Sequence, residues 1–216
     1  ITYVYYIARR LLTVKSASES LKDGIGSMVP ALIVLTMAWT IGGVIKSSPA
    51  DGGLGLAKYL SEVVVGGGFP VWALPAVVFV LSAVISFSTG TSWGTFTIMI
   101  PIVMPIVVAL AQARGLAGGS LVNASMISVA AVLSGAVFGD HASPISDTTI
   151  LSSTGAGCPH LEHVSTQLPY ALFVAAASLV GFAAGGIFLS ELVGWIAALA
   201  VFVGGMVILP KVYAKK

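Results

Sequence analysis

Asp140 and Asp147 stand seven residues apart in the stretch DHASPISDTT, with His141, Pro144 and four hydroxyls, Ser143, Ser146, Thr148 and Thr149. Nineteen residues without a charge, Leu121 to Gly139, precede it, and the chain turns apolar again soon after. Carboxylates and hydroxyls are hard oxygen ligands, suited to Na⁺ or a similar cation rather than to soft metals. Burial disfavours the charged form of a carboxylate and so favours proton uptake in general. One carboxylate for which a cation and a proton compete is a sufficient basis for exchanging the two.

A second polar stretch lies about fifty residues earlier. Ser88-Thr-Gly-Thr-Ser-Trp-Gly-Thr95 holds five hydroxyls, two glycines and no charge between the apolar runs Val71 to Phe87 and Phe96 to Ala111. Ser88, Thr89, Thr91, Ser92 and Thr95 offer neutral oxygens, and Gly90 and Gly94 permit close backbone approach. One reading is a tight turn between two spans. The functional reading is the tip of a re-entrant hairpin whose hydroxyls approach the aspartates from one side.

Composition decides what must hold these groups. The chain is 57% hydrophobic and 8% charged, against about 25% charged residues in a soluble domain. It cannot cover a water-facing surface. Apolar runs of about 20 residues recur, the length of a membrane-crossing helix, without the short alternating strands of a membrane barrel. The expected fold class is all-α, a polytopic transmembrane helical bundle with a helical hairpin and a discontinuous helix. A lone charge at the bilayer centre costs at least about 2.5–3.5 kcal/mol on insertion scales. Pro144 lacks an amide hydrogen and disfavours helix at Ser143. A helix opening near residues 140–146 follows, with Asp147-Thr-Thr149 capping its second half. Unwound backbone at membrane depth is tolerated where it is buried in protein or lines a wet cavity, and discontinuous helices form ion sites in secondary transporters. The competing reading is an ordinary loop with Asp147 as an N-cap. Against it, no further full span begins until residue 168.

Along the chain, residues 1–24 read as the end of a preceding helix plus a cytoplasmic connector, 25–210 as the transmembrane transporter domain and 211–216 as a cytoplasmic tail. Residues 25–45, 121–139, 168–189 and 192–209 read as spans. Residues 54–65, with Lys58 and Glu62 one turn apart, are too short and too charged to span and belong at the interface. If 71–111 enters and returns, Arg9, Arg10, Lys15, Lys22, Lys211, Lys215 and Lys216 share one side, and Lys46, Lys58 and Arg114 lie opposite. That excess places both ends in the cytoplasm and the chain in the cell (inner) membrane. The single cysteine, Cys158, leaves no internal disulfide. There is no initiator methionine and no secretory signal, so the chain reads as the later part of a longer protein.

FGDHASPISDTTILSSTGAGC (138–158) and STGTSWGTFTIMIPIVMPI (88–106) closely resemble paired signatures of the NhaC-type Na⁺/H⁺ antiporter family, within the ion-transporter superfamily of inverted-repeat carriers. The resemblance covers roughly residues 25–190 and fits the C-terminal half of such a protein. It implies a secondary active transporter, either a Na⁺/H⁺ antiporter or a same-fold carrier exchanging an organic acid, amine or drug with H⁺ or Na⁺. It also implies that the hairpin and broken helix face a matching pair from the missing N-terminal half. That half and the lipid bilayer are the expected partners; a homodimer is compatible, and nucleic acid is not expected. No cofactor is expected, since Na⁺ enters as the transported ion. The residues themselves nominate the ligands: Asp140 and Asp147 as the Na⁺ carboxylates, with Ser143, Ser146, Thr148, Thr149, His141, Ser88, Thr89, Thr91 and Ser92 as further ion- or proton-binding candidates.

Other residues have plainer readings. His141 is either a proton relay, since imidazole titrates near neutrality, or a histidine bonded to backbone beside the site. His160 and His163 lack a third strong metal ligand and read as loop residues. Arg114, Trp39, Trp72 and Trp195 read as interface anchors, Trp93 as an anchor or a shield over the site, and Asn123 as a helix cap. Gly135-xxx-Gly139 and Gly181-xxx-Gly185 suit close helix packing. An enzyme is not expected. An intramembrane aspartyl protease needs aspartates from separate helices, and both here fall in one break. An organic anion would call for Arg or Lys in the cavity, and only Arg114 lies between Lys58 and Lys211.

Overall fold

The computed structural model describes residues 2–53 and 55–213, and among them every regular element is helical. Residues 214–216 of the expected tail lie outside the described residues. Ile1–Ala38 and Trp39–Lys216 form two compact units. The first holds α1 (Thr2–Ala8) and the opening of α2 (Val14–Lys46). Thr13 caps α2 by accepting the Ser16 amide at 3.1 Å. The charged stretch 14–23, VKSASESLKD, holds no proline or glycine to stop a helix. The helix runs on from it into the apolar 25–45 segment, through Gly24, Gly26 and Pro30.

In the second unit, the 11 residues of α3 (Leu56–Gly66) extend only about 17 Å, short of the roughly 30 Å of hydrocarbon. Among the described residues, five segments are long and apolar enough to cross a membrane: Val71–Thr89, Ser92–Ala113, Gly118–Ala142, His160–Phe188 and Glu191–Ile208. They correspond to α4 (Leu74–Thr89) with the 3₁₀ turn before it, α5 (Ser92–Ala113), α6 (Gly118–Ala142), α8 (His160–Phe188) and α9 (Glu191–Tyr213). The short α7 (Asp147–Ala156) follows α6 after an interruption at residues 143–146.

The hairpin forms as expected. Only Gly90 and Thr91 separate α4 from α5, and Gly90 adopts φ 69 at the end of α4, the left-handed cap that glycine accepts without strain. The interruption also forms, at residues 143–146 within the expected stretch. The 25 residues of α6 extend about 37 Å, and the break follows directly on its last turn. The hairpin arms run 19 and 22 residues. The cap of α7 falls one residue early. Ser146 is the N-cap and Asp147 the first helical residue.

α4 packs on α6 at close range. A Cβ on Gly135 would collide with the Phe79 carbonyl, and one on Gly139 with the Ala83 carbonyl. Ser86 Oγ donates to Ala136 O across this contact at 2.6 Å. Buried Val78, Phe79, Val103, Val107, Leu110, Ala131 and Val132 fill the space between α4, α5 and α6. The second glycine pair serves α8, where Gly181 and Gly185 lie against Gly194 and Ala198 of α9. Outward faces carry exposed Val84, Val137, Leu172 and Leu199, a surface suited to hydrocarbon or protein rather than water.

Two residues read as an anchor and a cap turn out to join elements. Arg114 donates to Gly68 O at 3.1 Å, tying the end of α5 to the turn before α4. Asn123 lies within α6 and donates to Leu189 O at 3.0 Å, so it caps the end of α8, not its own helix. Leu189 adopts φ 49, a conformation that a non-glycine residue holds only with outside support. Asn123→Ala is therefore expected to cost about 1 kcal/mol of stability, read as a lower melting temperature in detergent. An unchanged melting temperature would show that the bond contributes nothing.

Candidate functional site

The hairpin tip lies directly on the break. A Cβ at Gly90 would come within 2.9 Å of the Ile145 carbonyl oxygen, and Ser143 Oγ donates to Phe87 O at 2.7 Å. The C-terminal ends of α4 and α6 and the N-terminal ends of α5 and α7 thus converge. Helix ends carry the backbone amides and carbonyls that have no intrahelical partner, so this is where polar backbone gathers in an apolar chain.

Asp140 sits at the centre, in the last turn of α6, with 9% of its surface exposed. Its Oδ2 accepts from Ser92 Oγ at 2.8 Å and its Oδ1 from Ser146 Oγ at 2.6 Å. Local chemistry aims both donors. Thr91 is extended and caps α5 by accepting the Gly94 amide at 3.3 Å, which makes Ser92 the first helical residue. Ser143 is extended at φ −73, ψ 131, the conformation that a following proline favours. The chain then turns so that Ser146, the N-cap of α7, comes back to Asp140. Both hydroxyls therefore stand at the positive ends of helix dipoles.

The other candidates divide. Ser146 Oγ lies 2.7 Å from Thr148 Oγ1, so Thr148 joins the cluster through Ser146. Ser143 is buried, bonds Phe87 O and accepts the Ile145 amide at 3.3 Å. Thr149 Oγ1 donates to His141 O at 3.3 Å. Ser88 and Thr89 turn back to the carbonyls of Val84 and Ile85 in their own helix, at 2.8 and 2.9 Å. Thr91 is used as a cap, and the buried Thr95 donates to Thr91 O at 2.8 Å. Of the tip hydroxyls, Ser92 reaches the carboxylate. Asp147 is exposed in the first turn of α7, and among the described residues no hydrogen bond joins it to Asp140.

His141 bonds through its backbone and turns its ring outward. Its backbone carbonyl accepts from Gln167 Nε2 at 2.7 Å, while its exposed side chain lines an open cavity of about 560 Å³ with Gln167 and Tyr170. Trp93 packs on Phe96, ring centroids 5.1 Å apart. His160 is not a loop residue. It opens α8, with Nε2 2.6 Å from Pro144 O and Nδ1 3.1 Å from Ser153 Oγ. His163 reaches Ser152 Oγ at 3.3 Å. The sequence signal for this was the pairing of Gly157 with Pro159: a left-handed helix stop and a helix start two residues apart fold the first turn of α8 back over α7.

Among the described residues, no group of three His, Cys, Asp or Glu side chains is placed to hold a metal ion. The set at Asp140 is instead one carboxylate with hydroxyls, suited to a hard cation or a proton. Arg114, the one Arg or Lys between Lys58 and Lys211, is engaged at Gly68 O, so that stretch supplies Asp140 with no cationic partner.

The model of the Na⁺/H⁺ antiporter family matches residues 1–187. An uncharacterized protein of Haemophilus influenzae is 43% identical over 197 residues, covering 91% of this chain and 35% of that protein. An uncharacterized Na⁺/H⁺ antiporter of the same organism is 29% identical over 167 residues, 75% of this chain and 32% of the relative. The malate-2H⁺/Na⁺-lactate antiporter of Bacillus subtilis is 29% identical over 184 residues, 80% of this chain and 34% of the relative. The chain thus spans about a third of the length of these relatives. No solved structure gives a significant match.

Proposed function

The chain belongs to the Na⁺/H⁺ antiporter family, and from that premise we propose that the intact protein exchanges Na⁺ for H⁺ by secondary active transport, with Asp140 as the group at which the two compete. The observation that carries this is a buried carboxylate accepting from Ser92 and Ser146 where four helix ends meet. A serine hydroxyl both donates and accepts. Without a cation, the two hydrogens point at the carboxylate. When Na⁺ arrives they rotate away, and the hydroxyl oxygens join Asp140 as ligands. A proton on Asp140 cancels the charge that attracts Na⁺, so the two occupancies alternate. In this reading the remaining ligands come from elements outside this chain, as in carriers built from facing repeats. Seven of the ten Lys and Arg side chains fall on one side under the positive-inside rule; both ends of this segment are then cytoplasmic, in the cell membrane.

One relative is named for malate and lactate as well as Na⁺ and H⁺. Exchange of an organic anion gains no support from this site, because a carboxylate substrate needs a fixed cation and Arg114 is held at Gly68 O. The deciding experiment is collapse of a preset ΔpH in everted vesicles carrying the intact protein, with Na⁺, Li⁺, K⁺, malate and lactate added in turn. Na⁺ added alone is expected to dissipate the gradient. Dissipation by malate or lactate but by no cation alone would overturn the reading.

A further inference from the structure

The geometry points to His160 as a positioning residue for the ion site: it clamps the Pro144 carbonyl and thereby holds the break that presents Ser146 to Asp140. This role rests on the exchange reading above. α7 ends at Ala156, Gly157 turns the chain at φ 67, and Pro159 is extended as the N-cap of α8. The first side chain of α8 therefore falls back across α7, where its ring lies between Ser153, 2% exposed, and Pro144, sixteen residues earlier. Pro144 precedes the N-cap of α7 and so lies outside both helices. Its carbonyl has no place in either ladder, and an unmet carbonyl in an apolar setting is costly.

A carbonyl oxygen only accepts, so Nε2 of His160 carries a hydrogen and donates it to Pro144. Ser153 has a single hydroxyl hydrogen, shared between Nδ1 of a neutral ring and Ile150 O at 2.9 Å, whereas a protonated ring donates from Nδ1 to Ser153. The bond to Pro144 persists in both forms, so the clamp needs no particular protonation state. Two residues beyond Pro144, Ser146 holds Asp140 Oδ1 at 2.6 Å. A break released from His160 is free to carry Ser146 away from the carboxylate.

The test compares His160→Asn and His160→Ala with His160→Gln in the intact protein. A glutamine amide reaches the position of Nε2 and still donates there, whereas an asparagine amide reaches only as far as Nδ1. His160→Asn and His160→Ala are expected to raise the apparent KM for Na⁺ by about tenfold, with kcat changed by less than about twofold, and to speed amide hydrogen exchange across residues 143–147. His160→Gln is expected to restore both. Wild-type KM and wild-type amide exchange in His160→Asn, or equal damage in His160→Gln, would overturn the proposal. Should the wild type show no Na⁺-dependent flux, the exchange reading falls, while the amide-exchange arm still decides the clamp. Ser153→Ala leaves His160 in place but removes the group that steadies its ring, which covers the case in which the His160 variants do not accumulate. It is expected to raise KM about threefold, and unchanged KM with unchanged amide exchange would count against the clamp.

Discussion

Asp140→Asn in the intact protein is expected to lower Na⁺/H⁺ exchange by a factor of roughly 10² to several times 10³, because removing one partner of a buried ion pair costs about 3–5 kcal/mol. The variant keeps the shape of the side chain. Its carbonyl oxygen can still accept from Ser146, now at 2.6 Å from Asp140 Oδ1, so insertion and folding are expected to survive. What disappears is the charge that attracts the cation and the group that takes the proton. Ser92→Ala and Ser146→Ala each remove one neutral ligand and are expected to raise the apparent KM for Na⁺ by less, about tenfold. Asp147→Asn should lose least, since that carboxylate is exposed at the start of α7. The measurement is ΔpH dissipation against Na⁺ concentration at matched amounts of membrane-inserted protein. Wild-type rate and affinity in Asp140→Asn would move the site elsewhere.

Gly139→Val should prevent the native packing of α4 on α6. A Cβ there would strike the Ala83 carbonyl and lie 2.7 Å from the Phe87 amide nitrogen and 2.8 Å from Ser86 Cβ. Two of these three neighbours are backbone, which cannot rotate away. Overpacking typically costs about 1–3 kcal/mol, and a branched side chain against backbone belongs at or above the top of that range. The helices would have to separate, pulling Ser143 from Phe87 O and Ser92 from Asp140, bonds now 2.7 and 2.8 Å long. The expected result is a large fall in folded protein recovered in detergent, with loss of exchange in whatever remains. Gly155→Ala is the control. It lies in α7 with nothing within 4 Å of an added Cβ, and alanine favours helix over glycine by about 1 kcal/mol. Normal recovery and activity of Gly139→Val would show that α4 and α6 do not approach as closely as described.

The solvent and the breaks could be read from residue types alone, because both follow from local chemistry. A chain with 8% charged residues cannot face water. Pro144 lacks an amide hydrogen and disfavours helix at Ser143, and glycine with hydroxyls between two apolar runs favours a turn. Hairpin and interruption were legible on those grounds. The choice among oxygens was not. Ser88, Thr89, Thr91 and Ser92 look alike in the sequence, yet Ser88 and Thr89 return to their own helix, Thr91 is spent as a cap and Ser92 reaches Asp140. Which face of the tip fronts α6 depends on the seating of Gly135 and Gly139 against α4, a contact between residues about fifty apart. Likewise, Asp140 and Asp147 look equivalent in DHASPISDTT. The extended turn at Ser143 and Pro144 sends one inward and leaves the other exposed at a helix start. His160 was hidden for the same reason: its partners lie 7 and 16 residues back. Only the reversal of α8 over α7 brings its ring to Pro144, since a hydrogen bond is decided by where two atoms meet in space and no local residue pattern specifies that meeting.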